Sequence, residues 1–132
     1  VNSSSNEMRL IIPKGCDNAP RKKIVIDFTV ALLKQQHDVI NEYADEHVVW
    51  FALKDHKKFE GRSSLSSILH DEDKNIVDCL EIDQVLTHGK FASINGVISL
   101  ANGSKIDFCD VYMFSHAGKS GKVVNIGLKI PK

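Results

Sequence analysis

Four long strand-forming runs fill the second half of this chain and constrain its fold more than any other feature. Positions 76–88, 91–100, 105–116 and 122–130 are rich in Ile, Val and Phe. Short glycine-containing segments separate them: His88-Gly89-Lys90, Ala101-Asn102-Gly103-Ser104 and Ala117-Gly118-Lys119-Ser120-Gly121. Tight glycine turns join antiparallel neighbours, whereas parallel neighbours need a long crossover between them. The spacing therefore predicts an antiparallel meander.

A sheet with an apolar face needs a cover, and the first half of the chain supplies helices. Pro20 suits a first helical position, where its missing N–H costs nothing. Ile24, Phe28, Ala31, Leu32 and Gln35 then recur at helical spacing to about Gln36. Asp38 can cap a short second helix through Ala44, with Val39, Ile40 and Tyr43 inward. Val48 to Leu53 is a short apolar run that reads as a strand, with Lys57 to Glu60 as its hairpin partner. Gly61-Arg62-Ser63-Ser64 opens a third helix with Leu65, Ile68 and Leu69 on one face, and a solvated loop, His70 to Lys74, follows. Met8 to Ile12 reads as a short leading strand. Helices first and strands afterwards give an α+β domain, a curved sheet wrapped on helices. Residues 1–7 read as a loose tail and 8–132 as one domain.

Composition excludes several classes. Apolar residues make up 42% of the 132, enough for a core without metal or disulfide. Lys plus Arg and Asp plus Glu stand at 17 each, so the basic footprint of a nucleic-acid binder is missing from the totals. Arg21-Lys22-Lys23 reads as solvation of a helix start. No apolar stretch reaches the ~20 residues of a membrane span, and the polar start lacks a signal core, so the expected address is cytoplasmic. Cys79 and Cys109 lie in apolar runs and read as buried. Cys16 lies in a polar loop and stands alone as a candidate for reactivity. The six histidines, at 37, 47, 56, 70, 88 and 116, fall at no metal-ligand spacing, and neither metal nor cofactor is expected. Gly118-Lys119-Ser120 imitates a phosphate loop, but a strand follows where a helix is needed.

One strand carries an unusual residue. Side chains alternate between faces along a strand, so Ile106, Phe108, Asp110, Tyr112 and Phe114 share one face. That face is apolar and aromatic except for Asp110 at its centre. A carboxylate in such a setting is costly unless it is paired, hydrogen-bonded or protonated, and desolvation should raise its pKa. The same residue serves equally as a structural acceptor for Tyr43, Tyr112, Trp50 or a histidine. The other face offers Cys109, Val111 and Met113, a second apolar stripe that a second subunit would cover.

The order of elements resembles the nuclear-transport-factor-2-like superfamily, which includes SnoaL-like polyketide cyclases, steroid isomerases, scytalone dehydratase and limonene epoxide hydrolase. Three stretches carry the resemblance: Val30-Ala31-Leu32 through Glu42 to Trp50, Glu60-Gly61-Arg62, and Asp110-Val111-Tyr112-Met113-Phe114 followed by Gly121-Lys122-Val123-Val124. Cys16, His88-Gly89-Lys90, Asn95-Gly96 and Phe108-Cys109-Asp110-Val111-Tyr112 are similar to an uncharacterised bacterial group within it. The resemblance implies a cone-shaped curved sheet around the N-terminal helices. It also implies that Asp110 matches the protonated Asp of steroid isomerases, a known case of an acid kept neutral by its apolar site. The isomerase's oxyanion-hole Tyr falls on Phe28 and its catalytic base near Phe51, so two of its three roles are empty here.

Three functions follow as expectations. The first is binding of a small apolar molecule in a cone pocket lined by Phe28, Trp50, Phe51, Phe108, Tyr112 and Phe114, with Asp110 as polar anchor. The second is an isomerase, dehydratase or cyclase with Asp110 as acid or base and a histidine as partner. The third is a non-catalytic module that makes a homodimer through the open sheet face.

Overall fold

The computed structural model describes residues 8–15, 19–52, 56–67 and 77–129. Strand β1 (Arg9–Ile11) leads to α1 (Pro20–Lys34) and α2 (His37–Tyr43). Then come β2 (Ala44–Ala52), β3 (Lys57–Glu60) and a 3-10 helix (Arg62–Ser67). The meander follows as β4 (Val77–His88), β5 (Phe91–Leu100), β6 (Lys105–Phe114) and β7 (Val123–Lys129). All seven strands form one sheet in the order β1-β4-β5-β6-β7-β2-β3.

The meander β4 to β7 is antiparallel throughout, as the glycine turns predict. The sheet as a whole is mixed, because β2 pairs in parallel with β7 and β1 in parallel with β4. These two pairings join segments far apart in sequence, so no turn signal announces them. β2 starts at Ala44 rather than Val48. Its first residues reach Val123 across an irregularity between Ala44 and Val49, where the Asp45 carboxylate accepts the His47 backbone N–H at 2.8 Å. The expected third helix is a 3-10 turn over its described part, and β6 ends at Phe114, two residues earlier than expected. Residues 1–7, Cys16, Leu53, Ile68, Leu69 and the loop from His70 lie outside the described residues.

α1 has Pro20 in its first turn and ends on Gln35 in the left-handed conformation. It buries Val25, Ile26, Phe28, Thr29, Ala31 and Leu32 against the concave face of the sheet. Each large apolar side chain so buried contributes about 1.5–3 kcal/mol. The sheet bends where β4 shifts register between Ile82 and Gln84, opposite Gly96. A Cβ on Gly96 would stand 2.0 Å from the Glu81 carbonyl oxygen, so only glycine allows the two strands to approach this closely there.

Arg21 does more than solvate the helix start. Its Nη2 donates to the carbonyls of Gly118, Ala117 and His116 at 2.7, 3.0 and 3.4 Å. Its guanidinium lies 3.9 Å from the Phe114 ring centroid. The start of α1 is thereby tied to the β6–β7 turn at one end of the sheet. No helix among the described residues is long and apolar enough to cross a membrane.

Candidate functional site

Asp110 sits in the middle of β6, paired in register with Ile94 on β5 and Leu128 on β7. Phe108 and Tyr112 lie two residues to either side and are buried at 4% and 0% exposure. Neither ring is stable in water, so the whole face turns inward and takes the carboxylate with it. Asp110 keeps 7% of its surface. Among the described residues it forms no ion pair; the two recorded pairs are Lys23–Asp27 and Lys58–Glu60. Burial pushes its carboxyl up to about 7, and the contact with Tyr112 acts against that rise.

The groups behind Asp110 form a chain of hydroxyls. The Thr29 hydroxyl donates to the Val25 carbonyl one helical turn back, at 2.8 Å. Thr29 Oγ1 also lies 2.8 Å from Tyr112 Oη, which in turn lies 3.5 Å from Asp110 Oδ2. Tyr112 is the donor to Asp110 across the long contact, and that donation is what acts against the rise in the carboxyl's pKa. The Tyr112 hydroxyl itself is held well above its usual pKa by burial and by the neighbouring Asp110.

The six aromatic residues expected to line a pocket divide. Phe28, Trp50, Phe108, Tyr112 and Phe114 all belong to the buried core. Phe28 meets Tyr112 edge to face at 5.6 Å between centroids. Trp50 stacks on Phe59 at 4.2 Å, and its indole N–H donates to Ser64 Oγ at 2.9 Å. Phe51 is the exception. It follows Trp50 on β2 and pairs in register with Gly127, which pairs with the exposed Val111. Strand alternation therefore puts it on the convex face, away from Asp110.

The described histidines lie apart from Asp110. His116 sits in the β6–β7 turn, where its Nδ1 accepts the Gly118 N–H at 3.1 Å. Its proton is then on Nε2, which donates to Ser120 Oγ at 3.2 Å, so His116 is no base for that serine. His37 and His47 border an open depression of ≈ 590 Å³ with Glu46 and Arg62, over a floor of Ile40 and Leu65. Neither Asp110 nor any of the six aromatic residues borders it. Arg62 donates from there to the carbonyls of Asn41 and Ala44, at the end of α2. Among the described residues no group of three His, Cys, Asp or Glu could hold a metal ion.

Sequence reasoning missed Thr29 and Phe59. A threonine inside a helix signals only a local bond to the preceding turn, and Phe59 lies in a short charged strand.

No family model matches the chain, and no curated protein matches it. Solved structures do. An NTF2-like protein of unknown function from Burkholderia xenovorans LB400 is 16% identical, with 89% of this chain and 88% of that one covered and a TM-score of 0.69. A putative SnoaL-like polyketide cyclase from Shewanella denitrificans OS-217 is 12% identical, with 83% and 89% covered and a TM-score of 0.67. A de novo designed protein with a curved β-sheet is 20% identical, with 85% of each chain covered and a TM-score of 0.67. The two helices, the curved open sheet and these neighbours give the chain the α+β cone-like fold of the nuclear-transport-factor-2-like and SnoaL-like proteins.

Proposed function

We propose that this domain binds a small, largely apolar molecule on the concave side of its sheet, with Asp110 as the polar anchor. The observation that carries the reading is a carboxylate at 7% exposure with no ion pair among the described residues. A carboxylate kept only as a structural acceptor would be expected to collect donors, and Tyr112 at 3.5 Å is a poor one. Phe108 and Tyr112 flank it on the same face. The likeness in fold to putative SnoaL-like polyketide cyclases agrees with an apolar organic ligand. Calorimetric titration with a panel of small aromatic and alicyclic molecules tests it. Micromolar to millimolar binding that weakens in Asp110→Asn supports the reading; no binding by any of them counts against it.

A second reading concerns the convex face, and a specific observation favours it. Leu86, Phe91 and Val111 are exposed at 54, 48 and 48%. Leu86, Ser93, Val111, Gly127 and Phe51 follow one another across five strands in register. The small Ser93 and Gly127 leave gaps between the larger side chains, which suits interdigitation with a second copy of the chain in a two-fold dimer.

A further inference from the structure

A second cluster of polar side chains stands apart from Asp110. We infer that the open depression between α2, the first part of β2 and the 3-10 helix binds the carboxylate of a small organic anion, held by the guanidinium of Arg62. This binding does not depend on the concave-face reading.

Arg62 owes its place to Gly61, whose φ of 93° turns the chain from β3 into the 3-10 helix. The Gly61 N–H donates to the Val48 carbonyl at 2.8 Å, which fastens the turn to β2. From there Arg62 Nη1 donates to the carbonyls of Asn41 and Ala44 at 3.3 and 3.2 Å. These two bonds immobilise the guanidinium and use both hydrogens of that nitrogen. Nη2 and Nε share one edge of the group and carry two parallel N–H bonds. Among the described residues neither of them has a partner. Capping the end of α2 therefore occupies one nitrogen and leaves a fixed fork over. Such a fork matches the two oxygens of a carboxylate.

Charge points the same way. Arg62 is half-buried and borders a depression of ≈ 590 Å³, a volume usual for small-molecule sites. Glu46 borders it too, yet no ion pair joins the two; the pairs recorded among the described residues are Lys23–Asp27 and Lys58–Glu60. The guanidinium charge is thus left for a ligand to meet. His37 and His47 stand on the same rim and can add N–H donors. Glu46 and the partly negative carbonyl end of α2 oppose a doubly charged phosphate. A carboxylate brings one charge and the planar pair of oxygens that the fork takes.

Three probes with one ring test this by amide NMR titration of the full chain at pH 8: benzoate, benzamide and phenylphosphonate. Benzoate is expected to bind roughly ten-fold or more tighter than benzamide, the order of one charge-assisted hydrogen bond. Phenylphosphonate, doubly charged at that pH, is expected to bind more weakly than benzoate. Benzoate should move the signals of His37, Asn41 and His47 and leave those of Ile94 and Asp110 in place. Arg62→Lys keeps the charge and removes the fork, and should weaken benzoate roughly ten-fold. Asp110→Asn should leave benzoate binding unchanged. If Arg62→Lys does not fold, the order of the probes and the map of shifted signals on the unmutated chain decide alone. Benzamide or phenylphosphonate binding as tightly as benzoate overturns the inference, as does full affinity for benzoate in a folded Arg62→Lys. Shifts centred on Asp110, or no benzoate binding up to millimolar concentration, overturn it too. None of these outcomes touches the concave-face reading, which has its own ligand panel and its own variant.

Discussion

Thr29 on α1 and Tyr112 on β6 share a buried hydrogen bond of 2.8 Å across 83 residues of sequence. Tyr112 in turn donates to Asp110 Oδ2 at 3.5 Å, so the helix holds the hydroxyl that faces the carboxylate. In Tyr112→Phe that donor to the charged form is lost, and the Asp110 pKa should rise above about 7, with a stability loss of about 1 kcal/mol for the lost bond to Thr29. A carboxyl-carbon NMR titration reads the shift directly. An unchanged or lower value would show that Tyr112 does not stabilise the carboxylate.

Stability should fall as pH rises from the ordinary carboxylate range toward neutrality. The Asp110 pKa is raised from 3.8 to about 7 in the folded chain. Below 3.8 both the folded and the unfolded chain hold the proton. Between the two values the folded chain keeps a proton that the unfolded chain has lost, so each step up in pH favours unfolding. Above about 7 both have lost it and the effect levels off. The accumulated loss is on the order of a few kcal/mol. Urea unfolding at pH 5 and pH 8 measures it, and Asp110→Asn should remove this part of the slope. Equal slopes in the two proteins would place the cause elsewhere.

Gly96→Ala should be among the most damaging single changes on the sheet. The added methyl would stand 2.0 Å from the Glu81 carbonyl oxygen, which is backbone and has no rotamer to yield. The strands must separate at the bend, at a cost of about 3 kcal/mol or more. A urea midpoint within error of the parent protein would mean that the bend tolerates a wider spacing.

Val111→Lys tests the convex face. Val111 is 48% exposed and central in the register row from Leu86 to Phe51. Sedimentation at micromolar concentration should give a dimer for the parent and a monomer for the variant, with the fold unchanged in circular dichroism. A parent monomer would remove the dimer, and a dimeric variant would move it to another surface.

Much of this architecture was legible locally, because turns and periodicity are local. The glycines at 89 and 103 sit at positive φ in tight turns, and the meander follows from them. The alternation around Asp110 put it with Phe108 and Tyr112, since a strand has only two faces. The same rule, applied along β2, separates Phe51 from Trp50, though composition alone groups them as aromatic neighbours. The parallel pairing of β2 with β7, the Arg21 clamp on the β6–β7 turn and the bond from Thr29 to Tyr112 were decided only in three dimensions. Each joins segments roughly 80 or more residues apart. Nothing in either segment encodes the other, because the partners are backbone carbonyls, backbone ladders and one hydroxyl among many. The sequence by itself determined that a carboxylate would be buried on an aromatic face. The tertiary structure determined what stands behind it, because only the packing of α1 on β6 brings the Thr29 hydroxyl to Tyr112.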